Sequence, residues 1–395
     1  MSDAELADGR ARTKAGRPPA PLPGRNRTVG GDFCGIGGWA FALRGLGYRD
    51  GGHCDIDPLA VAAFNRNHPG SPARLGDASK PEKVAESINR EGGVDLRTGS
   101  PPCVGYTSAN FARGKSAAAA KSRRLTIAHA ESYRYLDPKP KAGAMENTVE
   151  CLKCFEFWRA VAILDSLGYD VHWAVFGAQY VKVPQRRKRV YIVAVLRGAN
   201  VLCDLKSRVA EVIQRPPAVV HDLKRFRDRP GFWCISRTYI VGVGDEPGHY
   251  GKCVFDNKCV HGTLRQNSTW FPSAEYQYIR HPKDDMALNE SNVRRFDADD
   301  YLALSGLPPT TRLTPSASES MLRFCNIAVP CAAALALRSI LWLDDMSPRE
   351  AAAARARADP PNWPSTDPDH QPPKGLRGWR VHVALHRARA LETKA

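Results

Sequence analysis

A chain of 395 residues, 43% hydrophobic and 25% charged, has ordinary globular composition and length for roughly two to three domains, which excludes a wholly disordered or fibrous protein. No run approaches the roughly 18 apolar residues of a membrane span, and the polar start MSDAELADGR has no secretory pattern. The expectation is therefore a cytoplasmic protein, with no membrane partner, whose 11 cysteines stay reduced. The net charge of +16 points to a polyanionic partner.

That charge is concentrated. Residues 107–143 hold eight basic and two acidic side chains, and residues 180–200 hold six basic and none acidic. Along the chain, residues 1–28 (with GRPPAPLPGRNR) lack apolar periodicity and are expected to be a disordered arm. Thr28–Gly31 makes a poor strand by propensity. Trp39–Gly47 and Val61–His68 read as helices, Ala142–Met145 as a short strand, and Cys151–Gly168 as one longer helix. VYIVAVL, Val190–Leu196, is the strongest strand in the sequence. Strands alternating with helices predict an α/β fold with a parallel sheet. Residues 201–290 break the rhythm and read as a separate, irregular small domain. Leu302–Leu304 and Ala328–Leu343 return to helical patterning. Beyond residue 345 the chain reads as a basic Pro/Arg-rich tail, with a short basic helix near its end.

Six motifs bear chemistry. Asp32-Phe-Cys-Gly-Ile-Gly-Gly38 places glycines at a first strand-to-helix turn, where backbone must approach a ligand, although it lacks the spacing of a dinucleotide fingerprint. Cys54-Asp-Ile-Asp57 follows at the distance of a ribose-binding carboxylate, and Gly76-Asp-Ala78 stands at a third strand end. Gly99-Ser-Pro-Pro-Cys103 presents one thiol on a backbone stiffened by two prolines beside a cationic segment, the setting of a nucleophilic thiolate. Met145-Glu-Asn-Thr148 puts a carboxylate at a strand end. In Gln185-Arg-Arg-Lys-Arg189, period-two alternation sets Gln185, Arg187 and Arg189 on one face and Arg186 and Lys188 on the other.

In this order, from about Val29 to Leu343, the motifs resemble those of the bacterial and phage-type DNA cytosine-5 methyltransferases. The likeness extends through MENT, the VPQRRKRVYIVAV stretch, RRFDADDYLALSGLP and RFCNIAVPCAAALA. It implies a Rossmann-like methyltransferase sheet with a small target recognition domain at 201–290. The catalytic and cofactor-binding domain would run over 29–200 and return at 291–345, with a tail at 346–395. The cosubstrate implied is S-adenosylmethionine, with no metal. The Cys/His cluster Cys234, His249, Cys253, Cys259 and His261 fits no strong zinc spacing.

The resemblance makes Cys103 the nucleophile toward C6 of cytosine. Glu146 would hold N3 and the exocyclic amine, and Arg187 and Arg189 the O2 side and the catalytic loop. Phe33, Gly35, Gly37, Asp55, Ile56, Asp77, Ala78, Pro101 and Asn326 would form the cofactor site. Arg113, Lys115, Arg123, Arg124 and Gln185 would meet nucleic acid. The partner implied is duplex DNA with a flipped-out base, bound by a monomer associated with the nucleoid. Membership of a restriction-modification pair, with a separately acting endonuclease, is compatible with this. The alternatives are cytosine-5 methylation of transfer RNA and a catalytically weak DNA-binding homologue. The sequence departs from the family pattern at Ser100, Val104, Tyr106, Thr107, Thr148, Lys182 and Cys325, none of which removes a chemically essential group.

Overall fold

A computed structural model describes residues 27–106, 117–219, 222, 298–312 and 327–363, together with the backbone of four short strands at 232–235, 253–256, 279–280 and 293–294. The described chain divides into two compact units. One takes in the residues up to Phe176, then Lys188–Glu211 and the chain from Ala333; the other takes in Gly177–Arg187 and Val212–Ala332. The first thus keeps 201–211, which the sequence reading assigned to the small domain, and the second includes 291–332, which it assigned to the catalytic domain.

The larger unit is built on a seven-stranded sheet ordered β3-β2-β1-β4-β5-β7-β6. Its strands are β1 Thr28–Asp32, β2 Arg49–Asp55, β3 Ala73–Leu75, β4 Leu96–Gly99, β5 Ala142–Asn147, β6 Tyr169–Gly177 and β7 Lys188–Leu196. Strands β3, β2, β1, β4 and β5 are parallel to their neighbours. The predicted strand Val190–Leu196 forms within β7 but runs antiparallel to β5, with Ala142 opposite Val195 and Glu146 opposite Tyr191. The predicted parallel sheet is therefore largely parallel, with β7 antiparallel to β5. An apolar run fixes a strand's burial, not its direction.

Strand β1 (TVGGD) forms despite its weak propensity, because neighbouring groups pack too closely for side chains. A Cβ at Gly30 would stand 2.9 Å from Gly52 O, and one at Gly31 2.5 Å from Thr98 Oγ1. Helices α1 Gly38–Leu43, α2 Pro58–Asn67, α3 Pro81–Arg90, α4 Ala117–Ser132 and α5 Phe155–Ser166 connect these strands. Two begin with proline in the first turn, and Asp57 caps α2 by accepting from Leu59 N at 2.9 Å. The expected helix Cys151–Gly168 is broken into a 3₁₀ segment, Val149–Lys153, and α5, with the break at extended Cys154.

This unit also holds β8 Val201–Cys203, its antiparallel partner strand β13 Ile340–Trp342, and helix Pro348–Arg357. The expected helix Ala328–Leu343 is a helix only over Pro330–Arg338; β-branched and aromatic residues at Ile340–Trp342 pair with β8 instead. Residues 348–363, expected as tail, are docked. Asp204 binds Arg208 and Arg357, and Trp363 exchanges backbone hydrogen bonds with Val171 beside the buried rings of Phe157, Trp158 and Trp173. In the other unit, helix Ala298–Leu304 and a four-stranded sheet are described, the latter from β9 Phe232–Ile235, β10 Cys253–Asp256, β11 Ile279–Arg280 and β12 Val293–Arg294. Side chains of the cysteine and histidine cluster at 234–261 lie outside the described residues.

Candidate active site

The carboxyl ends of β1, β2, β3, β4 and β5 gather most of the motif residues. After β1 the chain turns sharply at Phe33 (φ 53°), Gly35 (φ 53°) and Gly37 (φ 101°). At Gly35 nothing stands within 4 Å of where a Cβ would project, which leaves open space beside the backbone. At Gly37 a Cβ would fall 2.3 Å from His68 Nε2, so the glycine is required both by its backbone conformation and by that ring. Burial, with the Arg44 guanidinium adding to it, pushes His68 down to about 3, so it packs under the turn as a neutral imidazole.

Asp55, at the end of β2, accepts from Gly35 N at 2.8 Å through one carboxylate oxygen and from Asp57 N at 3.0 Å through the other. Burial raises its pKa, opposed by those backbone donors. Ile56 beside it is 66% exposed, an apolar surface left facing solvent at a strand end. Asp77 is held by Ser79 Oγ at 2.6 Å and Lys80 Nζ at 3.3 Å, and the Ser79 hydrogen bonds lower its pKa. Ala78 is buried with Val84, Ala85 and Ile88, against which Phe33 packs. A cleft lined by Asp32, Cys54, Gly76, Asp77 and helix α3 opens here. An aromatic platform, two carboxylates, an exposed apolar face and a side-chain-free turn make a donor set that fits a nucleoside-containing cosubstrate such as S-adenosylmethionine.

The Ser100-Pro-Pro-Cys103 segment follows β4. Ser100 Oγ accepts from Trp39 Nε1 at 2.9 Å, which gives the departure at Ser100 a structural role. Pro101 is buried and its carbonyl accepts from Asn147 Nδ2 at 3.2 Å; Pro102 O accepts from Ser122 Oγ at 2.9 Å. Cys103, half-buried, opens a 3₁₀ turn over Val104–Tyr106, with Tyr106 N donating to Cys103 O at 2.9 Å. Arg123 on α4 clamps this turn: Nη1 donates to Gly105 O at 3.2 Å while Nε pairs with Glu156 at 3.0 Å. Its guanidinium is thus engaged inside the protein, whereas Arg124 is exposed. Glu146, the penultimate residue of β5, is buried and pairs through Oε1 with Arg189 Nε at 3.1 Å.

Gln185 and Arg187 are buried while Arg186 and Lys188 are exposed, in keeping with the period-two reading. Both buried side chains belong to the other unit, where Gln185 Nε2 donates to Leu304 O at 2.7 Å and Arg187 Nη2 to Ile327 O at 2.9 Å. Three expected site residues, Arg113, Lys115 and Asn326, lie outside the described residues. Sequence reasoning missed Asp32, Arg97 and His129 as a group. Arg97 is fully buried on β4 and pairs with Asp32, which also receives His129 Nδ1 at 3.0 Å. The available signal was an arginine inside a central strand. Among the described residues no cluster of three His, Cys, Asp or Glu is placed to hold a metal, and no helix is long and apolar enough to cross a membrane.

Residues 32–339 match the family described as C-5 cytosine-specific DNA methylase. The chain belongs to this family. Among its curated relatives, Type II methyltransferase M.AgeI of Thalassovita gelatinovora is 28% identical over 43% of this chain and 39% of its own length. Type II methyltransferase M.NlaX of Neisseria lactamica is 24% identical over 80% of this chain and 97% of its own. Of solved structures, Dnmt2 methyltransferase of S. pombe aligns over 80% of this chain and 98% of its own, with TM-score 0.54 and 15% identity. A putative DNA modification methyltransferase encoded within an E. coli prophage gives the same coverage and TM-score at 16% identity. These two likenesses establish the family's mixed α/β fold, with its largely parallel sheet.

Proposed function

We propose that this protein transfers a methyl group from S-adenosylmethionine to C5 of cytosine in duplex DNA, by way of a covalent bond between Cys103 and C6. The observation that supports this best is the link between two strand ends. Asn147 at the end of β5 hydrogen-bonds Pro101, which ties the strand end beside Glu146 to the segment that leads to Cys103. The proposed chemistry requires a thiol and a carboxyl group at these two strand ends.

C5 of cytosine is a poor carbon nucleophile. The Cys103 thiolate adds to C6 and forms an S–C6 bond, and the ring electrons move so that C5 becomes enamine-like. Glu146 donates a proton to N3 as negative charge develops there, and Arg189 holds the carboxyl in place. Bound S-adenosylmethionine supplies an electrophilic methyl. With the methyl on C5, a base removes the C5 proton and the electrons of that bond expel the Cys103 thiolate, while Glu146 takes back the N3 proton, which restores the neutral aromatic ring. The phenyl ring of Phe33, the Asp55 carboxylate and the exposed face of Ile56 would hold the cosubstrate's nucleoside, and the open space at Gly35 would admit its methionine part. Cytosine in a duplex is inaccessible to such a pocket, so the base is flipped out at a cost of roughly a few kcal/mol. Arg124 and the basic stretch around Lys188 would offset that cost through phosphate contacts. The Type II relatives suggest a place in restriction-modification.

Incubation with S-adenosylmethionine and unmethylated DNA, followed by mass spectrometry of nucleosides, tests the reading. The expected product is 5-methyldeoxycytidine, absent with Cys103→Ala, while the variant keeps DNA affinity within a few fold. DNA carrying 5-fluorocytosine should trap the wild type covalently, because fluorine cannot leave as a cation. Product on transfer RNA but not on DNA would overturn the choice of substrate, and turnover without a trapped adduct would overturn C6 addition.

A further inference from the structure

At the centre of the sheet, beneath the motif loops, lies a fully buried ionic group that the chemistry above does not use. Arg97 on β4 is 0% exposed, Asp32 at the end of β1 is 2%, and His129 on α4 is 2%. Arg97 Nη2 pairs with Asp32 Oδ2, and His129 Nδ1 lies 3.0 Å from the same oxygen. Burial alone would raise the Asp32 carboxyl, but the Arg97 charge and the His129 hydrogen bond outweigh it and bring it to about 2. Burial pushes His129 down, so it is a neutral imidazole whose Nδ1–H donates to the carboxylate.

Its neighbours give this histidine its interest. A Cβ at Gly99 would stand 2.6 Å from His129 Cε1, so the ring lies flush against the residue from which the Ser-Pro-Pro-Cys103 segment departs. The Phe33 ring is 6.4 Å away, centroid to centroid. The histidine's own helix supplies Ser122 and Arg123, which hold Pro102 and Gly105 on either side of Cys103. One imidazole thus touches the end of the cofactor strand, the cofactor's aromatic platform and the start of the nucleophile segment. Burying three such groups incurs a desolvation penalty of roughly several kcal/mol per ion, which a hydrophobic trio of similar volume would avoid. Arg97 Nε and Nη1 also find no hydrogen-bond partner among the described residues, so the group does not maximise stability.

We propose that His129 is a positioning residue for methyl transfer: anchored to Asp32 and Arg97, it sets the spacing between the cosubstrate platform at Phe33 and the strand end that presents Cys103. The proposal rests on Cys103 and the Phe33 turn acting as proposed above.

Three variants separate positioning from bulk stability. His129→Asn keeps a donor at the Nδ1 position, His129→Phe keeps a ring without the donor, and His129→Ala removes both. Each is checked for folding by circular dichroism and thermal melting. Each is then assayed for S-adenosylmethionine affinity by calorimetry, for kcat and KM, and for the rate of 5-fluorocytosine adduct formation. The Phe and Ala variants should weaken S-adenosylmethionine binding about tenfold and slow the adduct by a similar factor, the effect of losing one hydrogen bond to a buried charge. The Asn variant should stay within a few fold of wild type. Equal losses in all three variants, or changes in melting temperature alone, would overturn the proposal. Should the wild type bind S-adenosylmethionine yet form no adduct, the reaction assignment fails, and calorimetry on the same variants still decides whether His129 positions the cosubstrate. A wild type that binds no S-adenosylmethionine overturns both.

Discussion

Glu146 and Ser100 show how differently two polar residues at neighbouring strand ends can matter. Glu146 sits at 6% exposure with its carboxyl oriented by Arg189, and its proposed task is to give a proton. Glu146→Gln keeps size and hydrogen bonding but cannot release a proton, so single-turnover methylation should fall by about two to three orders of magnitude, within the range of general acid catalysis. Cosubstrate affinity should hold within a few fold; an unchanged turnover rate would remove Glu146 from the chemistry. Ser100 instead makes a neutral hydrogen bond to the Trp39 indole. Ser100→Gly should cost about 1 kcal/mol in urea denaturation, leaving the buried indole N–H unpaired, with kcat close to wild type. A large loss of kcat without a stability change would mean that Ser100 acts on the substrate.

At the scale of elements, the local motifs were legible because each demands a residue type that few other settings need: glycine at positive φ before α1, two prolines before a thiol, a carboxylate at a strand end. What the sequence did not disclose was set by partners far along the chain. The antiparallel run of β7, the glycine-rich β1 and the strand Ile340–Trp342 inside an expected helix are each decided by a neighbouring strand. The same holds for Asp32, Arg97 and His129, which are 32 to 97 residues apart and meet only in the folded sheet. The docked segment 347–363 was missed too, though its start is a local signature: Ser347 and Glu350 form a reciprocal capping box ahead of the Pro348-led helix Pro348–Arg357. Ser347→Ala should therefore destabilise the protein by about 1 kcal/mol. Trp363→Ala, which empties a site among Trp158, Trp173 and Val171, should cost about 3–5 kcal/mol. Thermal or urea unfolding checks both, and a neutral Trp363→Ala would mean that this segment is dispensable to the fold.

For the molecule as a whole, buried titratable groups predict a specific acid response. His68 is pushed down to about 3 and His172 to about 4, in both cases mainly by burial, and His129 is lowered in the same way. The native state therefore refuses protons that the unfolded chain accepts below about pH 6.5. Where the unfolded state binds more protons, stability rises with pH, so it must fall as pH drops from 6.5. Each histidine contributes a loss approaching about 1.4 kcal/mol per pH unit once its unfolded form is fully protonated. A second loss sets in below pH ~4, where unfolded Asp32 protonates while the native carboxylate, at about 2, remains charged beside Arg97. Urea denaturation at pH 7, 6 and 5 measures the first stage, and His172→Gln should lower its slope by the share of one histidine. That substitution is chosen because His172 touches none of the proposed catalytic groups and its Nδ1 has no hydrogen-bond partner among the described residues. A flat profile from pH 7 to 5 would show that these rings gain protons in the native state as they do in the unfolded chain.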